Sequence, residues 1–221
     1  MRLQVKICGI TSAEAADAAM GAGADFAGLV FFPASPRDLR AEQAASLAAR
    51  LRGRCRIVAL LVDARDEEIA AAVQAARPDF LQLHGRETPE RVAAIKARFA
   101  IPVIKSIAIA EAADLACVPA YEKVADMLLF DAKAEAGAAR PGGHGAAFDW
   151  QLLRGRRFSR PWLLAGGLDA GNVAGAIGAA DAPGVDVSSG VETAPGLKDP
   201  QLIRDFIAAA RQAEFAKEVE A

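Results

Sequence analysis

Short apolar runs alternate with alanine-rich amphipathic segments along most of the chain. The runs are apolar almost throughout rather than at every second position, which is typical of parallel strands covered on both faces. Eight of them predict strands at 3–7, 26–31, 56–62, 79–84, 102–107, 127–132, 162–166 and 184–189. The segments between and after them predict helices at 12–22, 41–52, 66–76, 88–98, 110–117, 148–154, 170–179 and 198–215.

Several of the predicted helices carry recognisable start and stop signals. Ser12 precedes Glu14, and Thr88 and Asp199 each precede a proline, which is the usual order of an N-cap and the first helical position. Gly53 and the Arg77-Pro78 pair end two other helices. These signals support the alternation of strands and helices.

Eight strand-then-helix units in 221 residues predict a closed (β/α)₈ barrel, with residues 1–221 forming a single domain. An open doubly wound sheet is the alternative. Such a sheet would normally carry a glycine-rich dinucleotide loop after its first strand, and CGITSAEA is not one. The longest irregular segment, 132–147, is expected to be a lid, a binding loop or a disordered stretch.

Composition narrows the possible partners. The formal net charge is −2, which predicts neither a nucleic-acid nor a membrane partner. Three widely spaced cysteines without a CxxC pair predict no disulfide framework and no zinc site, and they favour a reducing cytoplasm. Two histidines make a multi-histidine metal site unexpected. No segment resembles a signal peptide or a membrane span.

In a barrel of this type the functional residues lie at the carboxyl ends of the strands. Two glycine-containing loops, AGG and SSG, follow the seventh and eighth predicted strands. Backbone amides and a helix N-terminus at such loops form an anion cradle. The alternative is two tight turns that need glycine for a positive φ. The predicted phosphate-binding residues are Gly166, Gly167, Ser188, Ser189 and Gly190.

Two reactive side chains follow apolar strands. Cys8 is a small core residue, an incidental turn residue or a reactive thiol. Asp131 ends MLLFD, where a carboxylate is unfavourable unless it is solvated, paired or used, for example as a general acid. Asp63 is a weaker candidate and is also a plausible N-cap of the third helix.

Three further polar residues are predicted near the same mouth. Arg37 follows two prolines and either grips a substrate carboxylate at two points or pairs with Asp38 at the surface. His84 in LQLHG is a proton shuttle, a hydrogen-bond donor or a buried imidazole. Asp186 lies two residues before Ser188, so strand alternation points both toward the interior or mouth.

Taken together, these stretches resemble the phosphoribosylanthranilate isomerase family from Lys6 to about Phe206. The stretches that carry the resemblance are KICGIT, GADFAGLVFFPASPR, LQLHG, LLFDA, PGGHGAAFDW, LLAGGLDAGNV and GVDVSSGVETAPGLKD. One departure is visible after the sixth strand, where the family often has GGTGK and this chain has GGHGAA, with His144 and Ala146.

The resemblance implies a monomeric or homodimeric barrel that converts an aminoaldose phosphate into an aminoketose phosphate without a metal or an organic cofactor. It places the catalytic base on Cys8, the general acid on Asp131 and the arginine that holds the anthranilate carboxylate on Arg37. His84 and Asp186 fall on positions that line the substrate site, and the five loop residues above fall on the phosphate cradle. Because the base acts as a thiolate, helix N-terminal amides and the electropositive site are expected to lower the pKa of Cys8.

Rival functions remain at this point. A metal-dependent sugar-phosphate epimerase would require several His and Asp residues as metal ligands. A bifunctional aminoaldose isomerase would require aspartates on strands one and six. An indole-glycerol-phosphate synthase would want a catalytic lysine and glutamate, and Lys105 is expected to have no glutamate partner at a strand end. A non-catalytic phosphosugar-binding barrel would keep the glycine loops and could lose Cys8 or Asp131.

Overall fold

The computed structural model describes residues 2–134 and 147–220, with side chains as far as residue 214. Eight parallel strands form a closed barrel in the order β1 to β8, which confirms the predicted fold class. The strands are β1 Gln4–Cys8, β2 Phe26–Phe31, β3 Arg56–Leu61, β4 Phe80–Leu83, β5 Val103–Ile109, β6 Met127–Ala132, β7 Trp162–Leu164 and β8 Gly184–Val187.

Seven α-helices accompany the strands among the described residues. They are α1 Ala13–Ala22, α2 Ala41–Leu51, α3 Asp66–Ala76, α4 Pro89–Phe99, α5 Val118–Glu122, α6 Val173–Ala180 and α7 Pro200–Glu220. The predicted start signals of α1 and α4 are confirmed: Ser12 accepts a hydrogen bond from the amide of Ala15, and Thr88 accepts one from Arg91. Two predicted helices instead contain the 3-10 helices Ala112–Cys117 and Trp150–Leu153.

The apolar strands bury both faces, which is why they lack alternation. One group of side chains fills the barrel interior, and a larger one packs the outer strand faces against the helices. The interior group consists of Phe26, Val58, Ile104, Met127, Leu129, Leu163 and Ala165.

The barrel closes where β1 pairs with β8. The register places Gln4 beside Gly184 and Lys6 beside Asp186. This closure brings residues about 180 positions apart in sequence to one end of the barrel. The carboxyl ends of β1 and β8 are therefore neighbours, and the residues that follow them share one surface.

A short antiparallel hairpin follows β8 and was not predicted. It consists of β9 Glu192–Ala194 and β10 Leu197–Lys198, joined through Gly196, whose φ is +84°. A Cβ at Gly196 would lie 2.4 Å from the carbonyl oxygen of Pro36, so the hairpin packs against the loop that follows β2. The predicted eighth strand is also shorter than expected, since it ends at Val187.

Candidate active site

Cys8 lies at the junction of β1 and β8 and is only 4% exposed. The Ser188 hydroxyl donates a hydrogen bond to the Cys8 carbonyl at 3.1 Å, and Asp186 is 2.8 Å from the ammonium of Lys6, two residues before Cys8. Lys198 donates to the carbonyl of Ser188 at 3.0 Å. The structure thus brings three predicted site residues together and adds two buried lysines that sequence reasoning did not select.

The electrostatics of Cys8 differ from expectation. Burial raises the pKa of the Cys8 thiol above its ordinary value, and the charges of Lys6 and Lys198 oppose that rise without overcoming it. The helix that follows begins only at Ala13, and its first turn is capped by Ser12. The expected net lowering of this pKa is therefore wrong: the nearby positive charges do lower it, but desolvation inside the barrel is the largest effect.

Asp131 and His84 meet on the other side of the mouth. Asp131 Oδ2 is 3.3 Å from His84 Nε2, and Asp131 Oδ1 accepts a hydrogen bond from the amide of Ala132 at 2.8 Å. His84 Nδ1 is in turn 3.0 Å from the side-chain nitrogen of Gln82, which is fully buried. Among the described residues, the side-chain oxygen of Gln82 has no hydrogen-bond partner. Gln82 therefore orients the imidazole toward Asp131.

A buried ion pair supports the loop that carries His84. Glu87 lies 2.7 Å from the ammonium of Lys105 and also accepts hydrogen bonds from the amides of Asp63 and Gly85. Lys105 therefore does have a glutamate partner, although Glu87 lies in the loop after β4 and not at the end of the strand. Lys105 follows the interior residue Ile104, so it points outward, where it also donates to the carbonyls of Leu83 and Gly85.

Asp63 also stabilises the loop that carries His84. Its φ is +47°, and its carboxylate accepts a hydrogen bond from the amide of Arg86 at 2.6 Å. The N-cap residue of α3 is Arg65, so the expectation that Asp63 caps this helix is wrong. Asp63 instead ties the loop after β3 to the loop after β4.

Arg37 is buried and does grip a carboxylate at two points, but that carboxylate belongs to Glu192 of the hairpin. Arg37 Nε and Nη2 each donate to Glu192 at 2.7 Å, whereas Asp38 accepts from the amide of Phe32. A Cβ at Gly9 would lie 2.5 Å from Arg37 Cδ, so the guanidinium side chain packs on the turn that follows Cys8. Glu192 engages neither Nη1 nor the second N–H of Nη2.

Glu192 is shared between two cations. Lys198 lies 2.5 Å from Glu192 Oε1 and also donates to Ser188. Although burial raises the pKa of Glu192, Arg37 and Lys198 together hold it below its ordinary value. A chain of charged contacts therefore links the arginine to the loop after β8.

This pairing predicts a pH-dependent loss of stability in Glu192→Gln. At pH 7 the variant is expected to lose ~2 kcal/mol of unfolding free energy, because hydrogen bonds to charged groups contribute about that much. A lowered folded pKa contributes stability that is complete above the ordinary glutamate value and is lost as pH falls through the folded pKa. The difference from wild type should therefore stay constant from about pH 7 to 5 and shrink only below ~4.3.

Urea unfolding of both proteins at several pH values measures this difference. Glu68→Gln is the matched control, because Glu68 forms a surface pair with Arg65 and is half exposed. That control should unfold almost like wild type. A Glu192→Gln variant that is equally stable at neutral pH would contradict the role given to this carboxylate.

The glycine loops after β7 and β8 touch each other. Gly166 and Gly167 have φ values of +87° and +64°, so the first loop does need glycine for its turn. Gly190 serves a close approach, since a Cβ there would lie 1.9 Å from the carbonyl oxygen of Leu168. Ser189 and Gly190 open the 3-10 helix Ser189–Val191, whose first amides have no partner within the turn.

These contacts form a continuous arc around the carboxyl end of the barrel. A Cβ at Gly166 would lie 2.8 Å from the amide nitrogen of Ala132, next to Asp131, and Gly190 contacts Leu168 in the loop after β7. The arc therefore runs from Cys8 and Ser188 through the two glycine loops to Asp131 and His84. All five predicted cradle residues are partly exposed along it. The segment GGHGAA, with His144 and Ala146, lies outside the described residues apart from its last alanine.

In the described part of the chain, no group of three or more His, Cys, Asp or Glu side chains is placed to hold a metal ion. Over the same residues, no helix has the length and apolar character needed to span a bilayer.

Comparison with known proteins decides the family. A family model described as N-(5'phosphoribosyl)anthranilate (PRA) isomerase matches residues 5–209. The N-(5'-phosphoribosyl)anthranilate isomerase of Rhodopseudomonas palustris (strain BisA53) is 57% identical over 214 residues, which span 97% of this chain and 98% of the relative. The chain belongs to the PRA isomerase family.

Other PRA isomerases agree in sequence and in structure. The enzyme of Azorhizobium caulinodans is 54% identical over 98% of this chain and 95% of its own length. The crystal structure from Thermotoga maritima superposes with a TM-score of 0.85 at 35% identity, over 95% of this chain and 99% of that one. A PRA isomerase in complex with reduced 1-(o-carboxyphenylamino)-1-deoxyribulose 5-phosphate gives 0.81 at 34% identity, with the same coverage.

The activity of this PRA isomerase is the intramolecular aldose-to-ketose conversion of N-(5-phosphoribosyl)anthranilate in tryptophan biosynthesis. The resemblance and the fold predicted from the sequence are thereby confirmed. The roles of individual side chains stay predictions, which the geometry above makes specific.

Proposed function

We propose that this chain isomerises N-(5-phosphoribosyl)anthranilate to 1-(2-carboxyphenylamino)-1-deoxyribulose 5-phosphate with Cys8 as general base and Asp131 as general acid. The observation that carries the proposal is the arc of contacts around the barrel mouth. It has a buried thiol beside two lysines at one end, a carboxyl group held by His84 at the other, and the glycine loops between them.

The chemistry needs only proton transfers. Asp131 protonates the ribose ring oxygen, the C1–O bond breaks, and the nitrogen lone pair forms the C1=N bond of a Schiff base. The Cys8 thiolate then removes the C2 proton. The electron pair of that C–H bond forms the C1=C2 bond while the π pair of C1=N returns to nitrogen, which gives an enolamine. Ketonisation adds a proton at C1 and removes one from the C2 hydroxyl, so the overall reaction conserves protons.

Each catalytic group is supported for its task. The hydrogen bond from Ala132 and the contact with His84 fix the direction of Asp131 and stabilise the carboxylate that remains after it donates its proton. Burial that raises the pKa of Cys8 also makes its thiolate a stronger base once formed.

The substrate is held at its two anionic ends. The amides of the glycine loops bind the phosphate, as these loops do in barrels of this type. The free edge of Arg37 binds the anthranilate carboxylate, while Glu192 holds the other edge. Asp186 faces Cys8 from β8 and lines the sugar site.

Substituting Gly190 tests the phosphate site. Gly190→Ala places a Cβ against the Leu168 carbonyl and forces the two loops apart, so KM for the phosphosugar is expected to rise about 10-fold or more. Gly175→Ala is the control, because a Cβ there meets nothing within 4 Å. Steady-state kinetics on both variants measure the effect. Equal KM values in Gly190→Ala and wild type would remove these loops from phosphate binding.

The activity itself is tested by following the loss of anthranilate-type fluorescence when purified protein meets phosphoribosylanthranilate generated in situ. Decay should scale with enzyme concentration and vanish in the double variant Cys8→Ser/Asp131→Asn, which excludes a contaminating isomerase. Absence of decay with wild type, while inorganic phosphate still protects against thermal unfolding, would indicate a barrel that binds phosphosugars and does not convert this one.

We propose that residues 1–221 form a single domain. We further propose that the protein is a monomer or a homodimer, is located in the cytoplasm and has no nucleic-acid partner. Support comes from the closed barrel, the net charge of −2 and the three unpaired cysteines.

A further inference from the structure

Lys6 is a fully buried lysine whose role the reaction described above leaves open. It lies on β1 two residues before Cys8, so both side chains point to the barrel interior. No part of its side chain is exposed. Burying an ammonium group is strongly unfavourable unless it is paired and hydrogen-bonded, so its surroundings indicate what it does.

The ammonium of Lys6 pairs with a carboxylate and acts on the proposed base. Asp186 Oδ1 lies 2.8 Å away on β8, at the position that pairs with Lys6 across the barrel seam. Cys8 lies two residues further along the same face of β1, and the positive charge of Lys6 acts on its sulfur. An ammonium has three N–H donors, so it can serve the carboxylate and the sulfur together.

The charges around the sulfur come from three elements. Lys6 of β1 and Lys198 of β10 favour the thiolate, whereas Asp186 of β8 disfavours it. Burial disfavours the charged form of Lys6, but Asp186 and Cys8 together hold the pKa of Lys6 above its ordinary value. Lys6 is therefore a cation throughout the neutral and mildly alkaline range.

Another buried lysine, Lys105, has different surroundings. Lys105 also contacts a buried carboxylate, that of Glu87, but its remaining hydrogen bonds go to the carbonyls of Leu83 and Gly85 on the outer side of the barrel. Lys6 instead presents its charge to a sulfur atom at the barrel mouth.

We propose that Lys6 is a positioning residue of the isomerisation, whose ammonium stabilises the thiolate form of Cys8 when it forms, while Asp186 holds the ammonium in place. The inference rests on the assignment of Cys8 as the base. Lys6 and Asp186 then have opposite effects on the same sulfur: the lysine promotes the thiolate, and the aspartate restrains that effect by neutralising the lysine.

The test is an ultraviolet titration of the thiolate in the full-length protein. The difference between each protein and its own Cys8→Ser version isolates the Cys8 sulfur from the single tyrosine, Tyr121, and from Cys55 and Cys117. In Lys6→Met the midpoint should move to higher pH by ~1–3 units, since an adjacent opposite charge shifts a pKa by about that much. In Asp186→Asn the midpoint should move to lower pH.

Lys105→Met is the matched control, because it removes a buried lysine from an ion pair that does not contact Cys8. Its Cys8 midpoint should equal that of wild type. If Lys6→Met does not fold, the double variant Lys6→Met/Asp186→Asn leaves no buried charge unpaired, and its midpoint should lie above that of Asp186→Asn alone. Kinetics of Lys6→Met should show the same alkaline displacement in kcat/KM.

Midpoints that stay fixed, or that move in the same direction in Lys6→Met and Asp186→Asn, would overturn the inference. Failure of the underlying assignment looks different. In that case Cys8→Ser would keep wild-type turnover, whatever the titration of the sulfur shows.

Discussion

Asp131→Asn is expected to lower turnover by ~10²–10⁴-fold, which is the usual contribution of a positioned general acid. The amide has nearly the shape of the carboxyl group but cannot give a proton to the ribose ring oxygen. Loss of anthranilate-type fluorescence under saturating substrate measures turnover. KM should change far less, because Asp131 contacts neither of the anionic ends of the substrate in the proposed arrangement.

The surrounding hydrogen bonds allow this variant to fold. The new amide oxygen can accept from Ala132, its nitrogen can donate to His84 Nε2, and the tautomer of His84 can change. The buried oxygen of Gln82 is then available for the other ring nitrogen after an amide flip. Asp17→Asn, at an exposed pair with Arg50, is the control and should be fully active. An Asp131→Asn variant with near-wild-type turnover would exclude Asp131 as the acid.

Cys8→Ser is expected to lower turnover by a similar factor of ~10² or more, because an alcohol is a far weaker acid than a thiol and forms almost no anion near neutral pH. The variant should also change the pH profile. A raised pKa keeps the wild-type thiol protonated to higher pH, so kcat/KM of wild type should keep rising above about pH 8.5. The serine variant should lack this rise.

Cys55→Ser is the matched control for this experiment. Cys55 is buried like Cys8, burial raises its pKa to about 11, and its thiol donates to the carbonyl of Ala24 near the opposite ends of the strands. That variant should keep both the turnover and the pH profile of wild type. Retention of the alkaline rise in Cys8→Ser would mean that another group supplies the base.

Much of this architecture could be predicted because local pattern and global fold agree. The apolar runs ended within two residues of the ends of the observed strands, so Cys8, His84 and Asp131 fell at the carboxyl ends of β1, β4 and β6. A closed barrel then requires these ends to share one surface. The sequence pattern thus located the proposed acid and base before any contact was known.

The ion pairs around the proposed site could not be predicted in the same way. Lys6 and Asp186 are 180 residues apart and meet only because β1 pairs with β8, a register that no local pattern encodes. Glu192 and Lys198 belong to a hairpin of three and two residues, ETA and LK around PG, which is too short for strand alternation to be visible. The pairing of Arg37 with Glu192 instead of Asp38 follows from that hairpin.

The two hydrogen bonds between Arg37 and Glu192 also have a thermodynamic consequence for the binding of a second carboxylate. A free arginine side chain carries about 2 kcal/mol of rotamer entropy, which a ligand must overcome when it immobilises the guanidinium. Here Arg37 is already fixed by two hydrogen bonds in the folded chain. Most of that entropy is lost during folding, so a carboxylate that binds the remaining edge gains up to about 30-fold in affinity over one that meets a mobile arginine.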